Sequence, residues 1–586
     1  MSPGSERTPL LADRPRNSED STRRAEEEDA ALHGTAITPS TPRRALREVV
    51  LFAWALIATA AVIVLAVIIQ HHNTTTSPNP SPAPTPHRPR RSLRRRGPYL
   101  FRHHHPPPRN PKNATSSSWS PTGWVPPRLS LTRSFRQLTQ SLPIDDVLTL
   151  DRHFWGTSRT RSSNSLVTDS AAGATAFSCG RKSYNGAISM LPGHRPCGSV
   201  LEAAKRKGLA TGLVVTTDVT DATPACFAAH VDMRMQMDEI ALQEVGEGAF
   251  GKVEWIIDPG KDGVDVVGLA QEKHGWGYKG DRAGFDELRG GKNVSLPLLG
   301  LFADADVPFE IDRRNMADIY PSLSEMAATA LTALEEATKD SDKGFFLMIE
   351  GSRIDHAGHF NDPAAQVREV LEYDKTFKLV LEFLEKSDTE GVLVATSDHE
   401  TGGLSTAWQA PNELPVYNWH PSVLARANAS TEYCSFLLNE HIASAGDESQ
   451  QSLINWINEE LAVRRLGITD ALEIELNALA TNPAAATVIF SSMISSRARV
   501  GWSTHGHSAV DVNIYSSGGK AAEKIRGNVE NTDVGKFLSE YLDVDVDEIT
   551  KELEDKLKGS KVFEVEVEGD AAMSGHPVEW LKDAGL

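Results

Sequence analysis

The sequence predicts an α/β fold, a central and mostly parallel sheet flanked by helices, preceded by a single transmembrane helix. Three observations carry this reading. Residues 208–217, 344–350 and 391–397 are short apolar runs bounded by turn or polar residues, which suits strands buried on both faces. Between the last two, Pro363 to Lys386 repeats apolar residues at helical spacing (Val367, Val370, Leu371, Phe377, Val380, Leu381, Leu384), so strand, helix and strand make a βαβ unit. Glu350 ends one of these strands and Asp398 and His399 end another, at the carboxyl ends where open α/β sheets gather their sites.

The elements follow in chain order. Residues 1–48 are polar, charged and poor in aromatics, the composition of a disordered tail. Within it, Glu6-Arg-Thr-Pro-Leu-Leu11 has the form of an acidic dileucine sorting signal, read by a cytosolic adaptor. Val49 to Ile69 holds 21 residues without a charge, enough to cross roughly 30 Å of hydrocarbon as a helix. It starts too far into the chain for a cleaved signal peptide. Arg43, Arg44 and Arg47 before it favour a cytosolic N-terminus, while the arginines from Arg88 to Arg96 oppose this, so charge alone leaves orientation open. Residues 70–112, rich in Pro, His, Arg, Ser and Thr, read as a linker. Residues 113–586 then read as one folded domain. Sequons at Asn73, Asn293 and Asn428 all follow the apolar span, and with the sorting signal they place the bulk of the chain in a lumen. Four cysteines, none in Cys-x-x-Cys spacing, allow one or two bridges there and leave the pairing open. The hydrophobic fraction of 40% is ample for a sizeable core, and the net charge of −19 excludes a general nucleic-acid binder, which carries a basic face.

Four separated segments hold the chemistry: Val167-Thr-Asp-Ser-Ala-Ala-Gly-Ala-Thr-Ala176, Glu350-Gly-Ser-Arg-Ile-Asp-His-Ala-Gly-His359, Ser397-Asp-His-Glu-Thr-Gly-Gly403 and Thr504-His-Gly-His-Ser508. Carboxylates and imidazoles in such number suit zinc and magnesium. Ser170 opens a run of small residues that turns into a helix, whose N-terminus offers free N–H groups and partial positive charge to an anion. Asp355 and His359 are four apart, so one helical turn brings both to one metal. Asp398 and His399 follow a strand directly, and His507 supplies a further imidazole, with His505 as its rival.

These segments resemble the alkaline phosphatases, and within them the fungal vacuolar, membrane-anchored branch. The resemblance runs from about Leu129 to Glu548 and is densest in Asp169-Ser-Ala-Ala-Gly-Ala-Thr-Ala176. It implies an α/β sandwich, a homodimer, two zinc ions and one magnesium, and phosphomonoester hydrolysis of broad specificity. Ser170 would be the nucleophile that forms a phosphoserine, and Arg234 would clamp the phosphate, as suits bidentate recognition. Asp355, His359 and His507 would hold one zinc, and Asp398 and His399 the other. Thr223 and Glu350 would bind magnesium, with Asp221 helping through water. The spacing from His507 to Asp511 and Val512 fits the family pattern better than that from His505. Location in the vacuole membrane, single-pass type II, follows from the same resemblance.

The chain departs from the family in two places. The family carries a strand ending in Asp-Gly-Met-Gly-Pro shortly before Ser170, and that Asp bridges a zinc and the magnesium. Here Ala114 to Arg128 stands instead, with Thr122 at the Asp position counting back from Leu129. One set of codons for Arg-Asn-Ile-Phe-Phe-Val-Val-Ser-Asp-Gly-Met-Gly-Pro-Ala-Ser, chosen to fit and read from its second base, yields the residues from Ala114 to Pro127. Arg128 follows if one base is gained there. The expectation is a reading-frame error over residues 114–128. A chain made literally would lose a bridging ligand and a central strand, and its alternative reading is a catalytically impaired lumenal phosphate-binding protein. The second departure is a short stretch at Gly251 to Val266, where the family has a longer Gly-rich loop. Gly246-Glu-Gly-Ala-Phe-Gly-Lys-Val253 matches a kinase Gly-rich loop, but no companion kinase motif follows, so it reads as a surface turn. A sulfatase motif is absent from residues 113–586 as well.

Overall fold

The computed structural model describes residues 112–119, 126–247, 265–446 and 448–559. The tail with Glu6 to Leu11, the 49–69 span, the linker up to residue 111, Asn73, Thr122, most of Gly251 to Val266 and residues 560–586 lie outside them. Among the described residues no single helix is long and apolar enough to cross a membrane.

Seven strands make the central sheet: β1 (Lys112–Trp119), β2 (Phe154–Arg159), β3 (Ala210–Val214), β4 (Phe345–Ile349), β5 (Glu390–Thr396), β6 (Val512–Ser516) and β7 (Gly527–Glu530). Their order is β7-β2-β6-β5-β1-β4-β3. β3, β4, β1 and β5 run parallel, β6 runs antiparallel to both β5 and β2, and β7 is parallel to β2. The sheet is mostly parallel, and each apolar run became a strand. The reason is visible along β4. Phe346 and Met348 join a core with Val392, Val394, Ile514 and Phe537, while Phe345, Leu347 and Ile349 join another with Leu393, Val370 and Phe377. Alternate side chains thus feed two cores, one on each face, each such burial being favourable by roughly 1.5–3 kcal/mol.

Helices cover both faces. They include α1 (Pro126–Thr139), α2 (Ser170–Cys179), α3 (Val200–Arg206), α4 (Ala222–Ala228), α5 (Leu323–Thr338), α6 (Arg353–His359), α7 (Pro363–Lys386) and α8 (Thr431–Ser444). α7 spans the range its periodicity predicted. Asp362 caps it by accepting from Ala364 and Ala365 N–H, with Pro363 at the first helical position, where a missing donor is harmless. Its Val367, Val370, Phe377 and Val380 are buried.

Two expectations need correction. β1 begins at Lys112, one residue inside the stretch read as linker, and the departed segment does not cost the sheet a strand. β1 pairs with β5 from Lys112 opposite Glu390 to Ser116 opposite Val394, and with β4 at Ala114 opposite Phe346. The physical reason is that β4 and β5 each present an open edge of N–H and C=O groups, and any extended segment without proline can complete that ladder. One disulfide joins Cys179 to Cys197, whose Cα atoms are 6.0 Å apart, and Cys226 and Cys434 are buried thiols. Asn293 and Asn428 are exposed.

Candidate metal and phosphate site

The nucleophile candidate is held by its cap. Asp169 sits in an extended conformation, and its carboxylate accepts from Ala172 N–H at 2.9 Å and from Gly186 N–H at 2.7 Å. Ser170 therefore begins α2, 5% exposed, with the helix N-terminus around it. A glycine sets how close α2 lies to the sheet: a Cβ on Gly173 would stand 2.5 Å from the Cβ of Asp398.

β5 ends at Thr396, and the turn after it aims His399 at the serine. His399 is fully buried, with Nε2 2.9 Å from Ser170 Oγ and 3.1 Å from Asp398 Oδ2. Its Nδ1 lies 3.2 Å from Thr401 Oγ1, whose hydroxyl donates to Asp355. Thr401 can then only accept from the ring, so Nδ1 carries the proton and Nε2 keeps its lone pair. His507 repeats this arrangement. It sits on a two-residue ladder, Glu400–Thr401 against His507–Ser508, and its Nδ1 donates to the Thr168 carbonyl at 2.8 Å. His359 does likewise, donating from Nδ1 to the His505 carbonyl at 2.5 Å. The His359 and His507 Nε2 atoms face one another at 3.3 Å, and the His399 and His507 rings stack at 3.4 Å. Asp355 Oδ2 lies 3.2 Å from His359 Nε2.

Three imidazoles thus have Nδ1 tied off and Nε2 lone pairs turned inward. This is the orientation metal-ligating histidines adopt, and facing lone pairs repel unless a cation lies between them. Asp355, His399 and His507 offer ligand atoms within 4.8 Å of one another. Burial, with the neighbouring rings, pulls His399 down to about 4 and His507 well below the imidazole range. Burial alone would raise Asp355, but His359, His399 and His507 override it and hold the carboxyl well below its usual range.

A second cluster is made of oxygens. Glu350 follows β4, Thr223 lies in α4, and Asp221 caps α4. Among the described residues, Glu350 Oε1, Thr223 Oγ1 and Asp398 Oδ2 are buried without a well-formed hydrogen bond, an expense that a bound hard cation removes. Burial foremost pushes Glu350 and Asp398 well above the carboxylate range, with Asp221 adding to the first and Asp355 to the second. Arg234 Nη2 donates to Asp221 Oδ1 at 2.7 Å, and its Nη1 stands 4.0 Å from Asp169 Oδ2.

The structure therefore brings Ser170, Asp355, His359, Asp398, His399 and His507 together, with Thr223, Glu350, Asp221 and Arg234 in the adjoining oxygen cluster. His505 is exposed and serves His359 through its backbone carbonyl. Sequence reasoning missed the bridging hydroxyl of Thr401 and the double cap by Asp169, although both lie inside the quoted motifs. It also missed Arg128. This guanidinium is 1% exposed, donates from Nη2 to the Thr401 carbonyl, and stands 3.3 Å from Glu400. Among the described residues its Nε and Nη1 have no partner, and burial pulls its pKa down.

A sheet whose strand ends hold inward-facing imidazoles and orphaned oxygens beside a helix-capping serine has the layout of a metal-dependent hydrolase of the α/β class. Comparison with known proteins names the family. The alkaline phosphatase family profile matches residues 122–256 and 257–544, and the chain belongs to that family. It is similar to the repressible alkaline phosphatase of Saccharomyces cerevisiae, 51% identical over 468 residues that cover 74% of this chain and 82% of that one. The alkaline phosphatase of Schizosaccharomyces pombe is 43% identical over 452 residues, with the same coverage. Among solved structures, the Thermus thermophilus alkaline phosphatase superposes with TM-score 0.60 at 25% identity, over 77% of this chain and 96% of that one. The cold-active enzyme of Shewanella sp. gives 0.59 at 28%, over 73% and 99%.

Proposed function

We propose that the protein hydrolyses phosphate monoesters of broad specificity through a phosphoserine on Ser170. The observation that carries this is the convergence of the His359, His399 and His507 Nε2 atoms beside Ser170 Oγ. The donor set fits two borderline cations and one hard one. Asp355, His359 and His507 would hold one zinc, Asp398 and His399 the other, and Thr223 and Glu350, with Asp221 through water, a magnesium. Bound there, these ions would lower the pKa of a serine hydroxyl and a water and offset developing charge.

The chain's own groups supply the rest. Free N–H groups at the start of α2 and the Arg234 fork bind and orient the phosphate dianion. Ser170 Oγ attacks phosphorus, an Oγ–P bond forms, and the ester bond breaks to release the alcohol. Water then attacks phosphorus from the opened side, releasing inorganic phosphate and restoring Ser170. Anchoring by residues 49–69, a lumenal catalytic domain in the vacuole, a homodimer and an adaptor at Glu6 to Leu11 complete the reading. The similarity to the repressible fungal enzyme and the oxidised Cys179–Cys197 pair, which belongs to an oxidising compartment, support the lumenal placement.

Arg128 favours a second statement about the chain itself. A buried charge with two nitrogens unpartnered among the described residues costs several kcal/mol, and it stands where the frame argument ends, at a position for which the fitted codons give serine. We infer that residues 114–128 are a frame error, and that the natural chain has Asp at 122 and a small residue at 128. The test is to sequence the transcript and assay its product on p-nitrophenyl phosphate. Turnover that chelator abolishes, and that Ser170→Ala lowers by about three orders of magnitude or more, is expected. No turnover at full zinc occupancy defeats the hydrolase reading. A transcript encoding Thr122 would make the impaired phosphate-binding protein the better account of this chain.

A further inference from the structure

One buried ion pair lies outside the site yet touches the segment that delivers Arg234. His230 Nε2 is 2.9 Å from Glu202 Oε1, with side chains 1% and 6% exposed. His230 Nδ1 is 3.3 Å from the Ser189 carbonyl. A carboxylate and a carbonyl only accept, so both ring nitrogens carry protons and the ring is cationic. Burial pulls the imidazole down, but the Glu202 charge and hydrogen bond, helped by the Ser189 carbonyl, override it and raise it above its ordinary value. Such a pair is weak evidence for stability, because desolvation offsets most of its Coulomb gain. A well-packed apolar pair would hold the fold equally well, so the pair calls for another explanation.

Its neighbours supply one. The other Glu202 oxygen accepts from Ser199 N–H at 2.8 Å, closing the capping box of α3. Two residues before Ser199, Cys197 is bonded to Cys179 at the far end of α2, the helix that Ser170 begins. On the other side, His230 N–H donates to Gln243 at 2.8 Å, and Val231 makes a two-way backbone bridge with Ile188. Arg234 N–H donates to the Gly186 carbonyl at 2.7 Å, and Gly186 N–H donates to Asp169. The five residues from His230 to Arg234 are therefore pinned at both ends, and their upstream pin is the buried pair.

We propose that Glu202 and His230 are positioning residues for phosphate: their buried pair fixes the 230–234 segment to α3, and through the disulfide to α2, so that Arg234 meets the same phosphate as Ser170. This rests on the roles given above to Ser170 and Arg234. Neither residue touches the phosphate site directly. Loss of the pair leaves the nucleophile and the candidate metal ligands in place and loosens the aim of the guanidinium.

The experiment uses the zinc- and magnesium-loaded product of the natural transcript with Glu202→Ala, Glu202→Gln, His230→Ala and His230→Gln. For each, the KM and kcat on p-nitrophenyl phosphate, the inhibition constant of inorganic phosphate and the unfolding temperature are measured. The alanine variants are expected to raise KM and the phosphate constant together by roughly tenfold, about 1.4 kcal/mol, while kcat changes by less than about threefold. Glu202→Gln keeps an acceptor for the ring and is expected to recover most of the affinity. A folded alanine variant that binds phosphate within twofold of the parent overturns the proposal, and so does a crystal structure of it with Arg234 still 2.7 Å from Asp221. If His230→Ala does not fold, His230→Gln, which cannot serve Glu202 and Ser189 together, carries the same reading. A parent without turnover counts against the hydrolase reading alone, since calorimetric titration of inorganic phosphate still compares parent with variant.

Discussion

β1 and β4 are neighbours in one sheet, parallel and in register, yet they are built from opposite materials. β4 is Phe-Phe-Leu-Met-Ile, buried throughout, and delivers Glu350 from its carboxyl end. β1 is Lys-Asn-Ala-Thr-Ser-Ser-Ser-Trp, and the chain after it leads to Arg128. A sheet's backbone ladder and its cores are therefore separate requirements. Any extended segment meets the first, and only apolar side chains meet the second. A central position written largely in serines pairs with its neighbours' ladders and lacks the apolar residues that β4 carries at the same depth of the sheet.

The largest effect should come from exchanging the poor material for the good. Replacing the stretch from Ala114 through Arg128 with Arg-Asn-Ile-Phe-Phe-Val-Val-Ser-Asp-Gly-Met-Gly-Pro-Ala-Ser, so that its Asp falls at 122, should raise turnover of p-nitrophenyl phosphate by at least about a hundredfold over the chain as written, an effect of about 2.7 kcal/mol or more. Thr122→Asp alone should recover little, because it restores a ligand on an unrepaired strand. Equal recovery by both would break the comparison. A smaller effect is expected from Arg128→Ser, which removes a buried charge and frees the Thr401 carbonyl. It should stabilise the chain as written by about 1–4 kcal/mol, read as a higher denaturant midpoint at unchanged slope. Destabilisation would mean that Arg128 holds Glu400 and Thr401 in place.

The smallest effect concerns the end of β4. Burial raises Glu350 well above the carboxylate range, so its contribution to stability is present below an unfolded pKa of about 4.5 and is lost as pH rises through the folded value. Glu350→Gln should therefore raise the unfolding temperature of chelator-treated protein at pH 8, and leave it nearly unchanged at pH 4. The same substitution should weaken magnesium retention. Equal shifts at both pH values would show that charge is not what burdens this position.

Much of the fold was legible because it rests on periodicity. The runs that became β3, β4 and β5, and the stripe that became α7, needed no knowledge of their partners. The pairing of Asp355 with His359 was legible for the same reason, as a helical turn fixes it. What stayed hidden depends on contacts distant in sequence. Thr401 shares its hydroxyl between Asp355 and His399 only because the 400–401 ladder lies over α6, and Cys179 meets Cys197 only once the hairpin of Met190–Leu191 against Arg195–Pro196 has closed. His507 and His505 could not be separated by residue type. They differ in which backbone carbonyl each ring nitrogen reaches, a property of the folded chain. β1 misled for the opposite reason: its composition argued against a strand, and the open edges of β4 and β5 decided otherwise.

The contact between Gly173 and Asp398 sets a one-sided tolerance for the enzyme. With 2.5 Å between a notional Cβ and the ligand turn, the reach from nucleophile to metal candidate is defined by a missing atom. One added methyl group would lever the serine away from its partners, and no substitution at 173 can bring it nearer.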